Sequence, residues 1–268
     1  MTLRMQNWRV AALVVALLSA AHPGRGVLMD WSLVTWTPGS LTNSYDMDPS
    51  NPGNDVTVAF SGNTSYLTTY YSTQSPFISV TNQGGLGVND AALMFAMDYS
   101  TRLQAITVTI TFNYAEGVNV DAFRLFDIDR GADSGSGYYW TDQIRRIWGT
   151  TTNGTIIAAT LTNLGSAVTR IGTGTNQSLI GTTTVNNTGT GSGNGNATIA
   201  FQGQGISSFT FTYGSFTNSQ SNPAQQHVQL YDLNYRKVPE VGVVWAPLAM
   251  LGAVSFLVYR RRRSHTSA

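Results

Sequence analysis

The sequence contains no cysteine among its 268 residues. Disulfide bonds therefore cannot stabilise the fold, and the cysteine-containing zinc sites common in proteins are excluded. The fold has to be held together by burial of apolar side chains alone. A chain of this length buries most of the surface that its unfolded form exposes, so one self-sufficient domain is expected.

Residues used for acid–base and metal chemistry are scarce. His227 is the one histidine that lies outside the two ends of the chain, and Glu116, in a predicted turn, is the one glutamate between residues 28 and 235. No Gly-x-Ser-x-Gly motif supplies a serine nucleophile, so hydrolysis would depend on aspartates. The sequence therefore predicts a protein that is not an enzyme, with His227 in a loop or at a strand edge.

Lysine is absent between residues 28 and 235, and charge of both signs is sparse there. That stretch contains six arginines and thirteen acidic residues, which gives a formal net charge of −7. The positive balance of the whole chain, formally +1, comes from its two ends. A weakly acidic body with scattered arginines lacks the basic surface that nucleic acid requires, so no nucleic-acid partner is expected.

Both ends of the chain have the composition of targeting segments. In residues 1–26 a basic start precedes an apolar run at 10–21 and then small residues, as in a secretory signal peptide. Residues 241–259 carry no charge and would span about 28 Å as a helix, which matches the hydrocarbon thickness of a bilayer. This predicted transmembrane helix is followed by Arg260, Arg261, Arg262 and Arg263. The arginines predict a cytoplasmic C-terminus and an exported body.

The segment 237–268 resembles the PEP-CTERM sorting signal of Gram-negative bacteria, in which a Pro-Glu-Pro motif precedes an apolar helix and an arginine cluster. Val238, Pro239 and Glu240 are similar to the start of that motif, and Val241 stands in place of its second proline. The resemblance implies anchorage in the inner membrane by one helix, then cleavage near Pro239-Glu240 by an exosortase-like enzyme. Release or attachment to the cell surface would follow, in a context of exopolysaccharide or biofilm.

Residues 27–236 show β-strand patterns and no convincing amphipathic helix. Residues 105–112 alternate apolar and threonine side chains without a break, which is typical of a strand with one buried face. Asn153-Gly154 predicts a hairpin, and residues 37–55 are rich in turn residues. The other predicted strands are 28–36, 56–60, 93–97, 118–129, 143–148, 156–161, 197–201, 206–213 and 228–235. This pattern predicts an all-β protein, a jelly-roll-like two-sheet β-sandwich.

Asp127, Asp129 and Asp133 form the densest acidic cluster of the sequence. Their carboxylates could contribute oxygen ligands to calcium, although the pattern lacks the glycine position and final glutamate of an EF-hand. Asx turns and pairing with nearby arginines explain the cluster equally well without a metal. A second, weaker set of candidate ligands is Asp46, Asp48, Asn51, Asn54 and Asp55. No cofactor other than calcium is expected.

Three aromatic residues, Tyr138, Tyr139 and Trp140, follow the acidic cluster directly. Aromatic rings offer flat faces on which the apolar faces of sugars pack, so these residues are a candidate carbohydrate-binding platform. Tyr70, Tyr71 and Trp148 are candidates to extend it. The alternative is that the aromatic side chains fill the core of the sandwich or cover its rim.

These patterns predict an exported, non-enzymatic protein of the cell surface or extracellular matrix. The resemblance further implies sorting by an exosortase-like system and an association with exopolysaccharide or biofilm. The alternative is a calcium-dependent carbohydrate-binding module on the cell surface. A hydrolase that uses a pair of aspartates is a third hypothesis.

Overall fold

The computed structural model describes residues 26–81, 84, 90–184 and 193–239. Gly26–Lys237 form one compact unit. Glu240, the predicted transmembrane helix 241–259 and the arginines at 260–263 lie outside the described residues, as does the predicted signal peptide up to residue 25. Within the described residues, no helix has the length and apolar character needed to cross a membrane.

The described part of the chain contains seventeen strands and two single-turn 3₁₀ helices, Thr64–Tyr66 and Gly174–Asn176, which are joined by turns and loops. The first nine strands are β1 (Gly26–Met29), β2 (Thr42–Tyr45), β3 (Val56–Gly62), β4 (Thr69–Tyr70), β5 (Thr73–Gln74), β6 (Phe77–Ser79), β7 (Ala92–Met97), β8 (Ala105–Phe112) and β9 (Val118–Phe126). The others are β10 (Asp142–Thr151), β11 (Ile156–Ala158), β12 (Thr160–Thr162), β13 (Val168–Ile171), β14 (Ser178–Gly181), β15 (Ala197–Ser215), β16 (Gln226–Leu230) and β17 (Leu233–Lys237). The prediction of an all-β protein is confirmed.

Fifteen strands join in one antiparallel sheet, while β4 and β5 form a separate two-stranded ribbon. One part of the sheet runs in the order β2-β3-β8-β15-β10-β14-β13, with β11 beside β10. The other part runs β12-β15-β9-β16-β7-β6, and β17 pairs with both β9 and β1. β15 therefore belongs to both parts.

β15 is nineteen residues long and changes partners along its length. Residues 197–201 pair with β9 and residues 198–200 with β12, whereas residues 208–214 pair with β8 and β10. A register shift between Phe201 and Ile206 marks the change, and Gly203 there has a φ of 80°. The prediction of two separate strands here is wrong, because the chain stays extended through this irregular segment.

One apolar core lies between the two parts of the sheet. Phe95 on β7 packs against Phe211 and Tyr213 on β15, with ring centroids 6.2 and 5.7 Å apart. Phe123 on β9 stacks on Phe209 with centroids 4.5 Å apart. These contacts join strands from different parts of the sheet, so the sheet curls over its own core.

β8 has the bounds that its alternating pattern predicts. The apolar side chains at 106, 108, 110 and 112 are buried. On the other face, Thr107 pairs with Thr212 and Thr109 with Thr210 through hydroxyl contacts of 3.3 and 3.2 Å. The predicted hairpin at Asn153-Gly154 is also confirmed, because β10 and β11 pair on either side of it.

Three other strand predictions need correction. The predicted strand 28–36 is wrong beyond Met29, since β1 ends there and the chain turns, with the Leu33 N–H donating to the Asp30 carbonyl. The predicted strands 156–161 and 228–235 each divide in two. β11 pairs with β10 and β12 with β15, whereas β16 and β17 share β9 but have different second partners, β7 and β1. β2 lies within the segment 37–55, which the sequence predicts as turns.

Candidate functional site

A group of polar and aromatic residues lies where four elements meet: the end of β9, the start of β10, the start of β16 and the β4–β5 ribbon. Asp127 follows the last residue of β9 and has a φ of 66°. This left-handed conformation is uncommon for residues other than glycine, although aspartate tolerates it better than most. The turn sets the direction of the carboxylate as the strand ends.

The Asp127 carboxylate lies in contact with His227, with 2.6 Å between its Oδ2 and the histidine Nε2. The two side chains are only about a tenth exposed, at 10% and 11%. The ring of Tyr70 lies against the imidazole, with centroids 4.4 Å apart. His227 is the second residue of β16, so the prediction of an edge or loop residue misses its pairing with Asp127.

Asp129 lies two residues further and is buried. Its Oδ1 accepts a hydrogen bond of 3.0 Å from the indole Nε1 of Trp140. The indole ring packs on the backbone of Gly131, where an added Cβ would lie 2.7 Å from a ring carbon. The Gly131 N–H also donates to the Trp140 carbonyl at 3.0 Å. Trp140 is thus held in place at both its ring and its backbone.

Asp142, the first residue of β10, lies beneath this pair and is buried. Its carboxylate accepts hydrogen bonds from the Asp129 N–H at 3.0 Å and from the Tyr213 hydroxyl at 2.7 Å. Burial raises the pKa of Asp142 well above its usual range, and the charges of Asp129 and Asp127 raise it further. Burial, followed by the charge of Asp142, likewise raises the pKa of the Tyr213 hydroxyl.

Tyr70 brings the β4–β5 ribbon against His227. Burial raises the pKa of its phenol, and the charges of Asp127 and Asp129 contribute to the increase. Its ring meets the ring of Tyr71 edge-on, with centroids 4.5 Å apart, and Tyr71 is half exposed. We call Tyr70, Asp127, Asp129, Trp140 and His227 the aromatic–acidic patch.

Backbone strain is concentrated around this patch. Five described residues other than glycine have positive φ, and three of them lie here: Tyr71 at 47°, Ser72 at 62° and Asp127 at 66°. Tyr71 and Ser72 form the two-residue turn between β4 and β5, a position that normally favours Asn-Gly. Strain of this kind persists where the surroundings enforce it, often at functional sites.

The three predicted stacking residues have different surroundings. The guanidinium of Arg130 lies 3.9 Å above the ring centroid of Tyr138 and covers one of its faces. Trp140 is fixed by Asp129 as described above. Tyr139 is 46% exposed, and its backbone bonds to Ala132 and Ala224. Trp140 and Tyr139 therefore remain candidates for ligand contact, while Tyr138 serves to pack Arg130.

The three predicted calcium ligands make contacts with three different partners. Asp133 is exposed and accepts the Gly135 N–H at 2.8 Å, which closes an Asx turn. Asp127 and Asp129 are engaged by His227 and Trp140. Among the described residues, no group of three or more histidine or acidic side chains is placed to hold a metal ion. Calcium binding stays a prediction.

The weaker acidic set forms a loop closed by Asp55. The buried Asp55 carboxylate accepts the N–H groups of Met47 and Asp48 at 2.8 and 2.6 Å, and the Asn51 amide at 2.5 Å. Lys237 lies 2.7 Å from Asp48 and, with hydrogen bonds from Ser50, lowers the pKa of Asp48. These carboxylates organise the loop next to the end of β17.

The described residues of the tail motif are Val238, which is partly exposed, and Pro239, which is exposed. Glu240 and the four arginines of the sorting signal lie outside the described residues.

Comparison with known proteins gives little further information. No protein-family profile matches the sequence, and no curated protein matches it. A crystal structure from Bacteroides thetaiotaomicron, of a protein for which sugar binding has been proposed, aligns over 81% of this chain and 96% of its own, with 10% identity and a TM-score of 0.22. A TM-score this low carries no argument about fold or function.

Proposed function

We propose that this chain is an exported, non-enzymatic surface or matrix protein whose β-sandwich body binds carbohydrate at the aromatic–acidic patch. The observation that carries the proposal is the patch itself: the tyrosine, tryptophan, histidine and carboxylate side chains of one small region, held by contacts among themselves. The curled two-part sheet supports the finer proposal of a jelly-roll-like sandwich, in which the patch lies where strands of the two layers end.

The side chains of the patch suit a polyhydroxylated ligand. Aromatic faces pack against the apolar faces of sugars, and carboxylates accept hydrogen bonds from hydroxyl groups. Asp129 is already oriented by Trp140, and Asp127 by His227, so little side-chain freedom would be lost on binding. The half-exposed rings of Tyr71 and Tyr139 extend the aromatic surface near it.

Screening of glycans tests this proposal. The purified chain would be applied to immobilised glucans, mannans, galactans and chitin oligosaccharides, with calcium in one arm and a chelator in the other. We expect retention on at least one glycan class in both arms. Retention only with calcium would favour the calcium-dependent alternative, and no retention on any glycan would refute carbohydrate binding.

The location proposed for the protein rests on its terminal sequences. The apolar segments at both ends, the arginines at 260–263 and the motif Val238-Pro239-Glu240 support export, anchorage and exosortase-like processing. Mass spectrometry of the mature protein from hosts with and without the sorting enzyme tests this. We expect a C-terminus near Pro239-Glu240 only when the enzyme is present, whereas an identical mass in both hosts would contradict it.

A further inference from the structure

Arg145 is a half-buried cation on β10. Its Nε donates to the Gln143 side chain at 2.7 Å, and its Nη2 donates to the backbone carbonyls of Ser215 and Arg102. Burial lowers the pKa of this guanidinium. No described carboxylate forms an ion pair with it. Backbone carbonyls carry only partial charges, so the positive charge of Arg145 is incompletely balanced.

Arg102 lies beside Arg145 and holds the same loop, residues 215–221. Its backbone N–H donates to the Ser221 carbonyl at 3.1 Å, and its Nη1 donates to the Ser219 carbonyl at 2.9 Å. Arg102 also lacks an ion pair with any described residue. Two guanidinium groups thus meet one loop with no anion to offset them. Arg170, which is exposed, needs no such partner because water solvates it.

Three buried polar side chains around this loop find no hydrogen-bond partner within the described residues. They are the Thr141 hydroxyl, the Ser219 hydroxyl and the Gln226 amide nitrogen, on residues exposed by 0%, 1% and 2%. Thr141 is joined to the loop by the Phe216 N–H, and Gln226 by the Ser215 hydroxyl. Buried polar groups normally form hydrogen bonds, so three such groups without a hydrogen-bond partner around one loop indicate that a polar partner is missing.

We propose that Arg102 and Arg145 form a binding site for a small oxyanion, of the carboxylate or sulfate class, beside the loop 215–221. Guanidinium groups bind such anions with paired N–H donors, and the anion supplies the negative charge that the loop lacks. The site uses other side chains than the aromatic–acidic patch, although Thr141 and Gln226 directly adjoin Trp140 and His227 in the chain. It accepts a free anion or the acidic group of a larger molecule.

Thermal unfolding and calorimetry of the full-length chain test the site. Sodium sulfate, acetate and glucuronate would each replace chloride at constant ionic strength. We expect saturable binding of at least one anion and a rise in Tm that follows its occupancy. Preference for glucuronate over acetate would identify an acidic sugar as the source, and equal response would identify the free anion group.

Three variants separate the site from general salt effects. Arg102→Gln removes one guanidinium and is expected to weaken binding at least about tenfold. Arg145→Lys keeps the positive charge but loses the paired N–H donors of the guanidinium, and it is expected to weaken anion binding less than Arg102→Gln does. Arg170→Gln, the control at an exposed arginine, is expected to bind as the unaltered chain does. The proposal is overturned if the unaltered chain shows no saturable binding up to about 50 mM anion, well above the millimolar range of weak sites. Unchanged affinity in folded Arg102→Gln would overturn it equally.

Discussion

At the residue scale, Asp127 combines a strained backbone with a close side-chain contact to His227. Its φ is 66°, and its carboxylate lies 2.6 Å from His227. Because asparagine tolerates the left-handed conformation and alanine does not, two substitutions separate these contributions.

Asp127→Asn is expected to lower the free energy of unfolding by about 1–2 kcal/mol, since it replaces a charged hydrogen bond by a neutral one. Asp127→Ala is expected to cost about 1–2 kcal/mol more, because it removes the remaining side-chain contact with His227 and adds the left-handed backbone penalty. Denaturant unfolding measures both, with exposed Asp133→Asn as the control. Equal destabilisation by the two substitutions would show that the backbone of Asp127 is not strained.

The raised pKa of Asp232 predicts that the stability of the fold depends on pH. Burial, together with the charges of Asp30 and Asp90, raises the pKa of Asp232 to about 6. The hydrogen bond that its carboxylate accepts from the Trp31 N–H partly offsets this increase. A carboxyl group whose pKa is higher in the folded than in the unfolded state favours folding when protonated. Its contribution is therefore present below about pH 4 and is lost as the pH rises through about 6.

Asp232→Asn keeps an oxygen acceptor for Trp31 and removes the titration. At pH 7 we expect it to raise the free energy of unfolding by about 1 kcal/mol, a value reduced for partial solvent screening. Denaturant unfolding at pH 5 and pH 7 should show a smaller difference between the two pH values in the variant than in the unaltered chain. The same difference in both proteins would rule out Asp232 as a source of the pH dependence.

At the element scale, β14 lies close against the chain at Asp129. A Cβ added to Gly181, the last residue of β14, would overlap the Asp129 carbonyl group. We expect Gly181→Ala to displace β14 and to lower the free energy of unfolding by about 1–3 kcal/mol. Gly26→Ala is the control, since its nearest contact, at 3.5 Å, is an ordinary one. Denaturant unfolding measures both, and equal stability of the two variants would contradict the close packing.

The strands that local pattern predicts best are those with a single buried face. β8 alternates throughout and has the predicted bounds. β15 does not have its predicted bounds. Its partners change along its length, and a polar, glycine-containing segment at 202–205 interrupts the alternation. Which strand pairs with which half of β15 depends on contacts between distant segments, and local periodicity does not encode these.

The candidate site was only partly predictable for the same reason. Asp127, Asp129 and Trp140 lie close together in the sequence, so the acidic and aromatic composition of that stretch indicates a candidate site. His227 lies a hundred positions after Asp127 and reaches it only because β16 pairs with β9. Tyr70 reaches the site through its ring contact with His227. The scarcity of histidine was the one local signal that pointed to His227.

At the scale of the whole molecule, a chain without cysteine depends on its aromatic core. Phe209 is fully buried and stacks between Phe123 and Phe201, with centroids 4.5 and 5.6 Å away. We expect Phe209→Ala to lower the free energy of unfolding by about 3–5 kcal/mol. Ile156→Ala, at a 57% exposed position, is expected to change it by less than about 0.5 kcal/mol. Denaturant unfolding that gave similar small effects for both would contradict a core centred on Phe209.

The central claim is that the aromatic–acidic patch binds carbohydrate, and calorimetric titration of the best-retained glycan tests it most directly. Trp140→Ala removes the largest ring of the patch, which is partly exposed, while Ile156→Ala removes an exposed apolar side chain elsewhere in the described structure. The account predicts that Trp140→Ala, shown to be folded by circular dichroism, binds at least about tenfold more weakly, and that Ile156→Ala binds as the unaltered chain does. Equal affinity of all three proteins would place glycan binding elsewhere and contradict the claim.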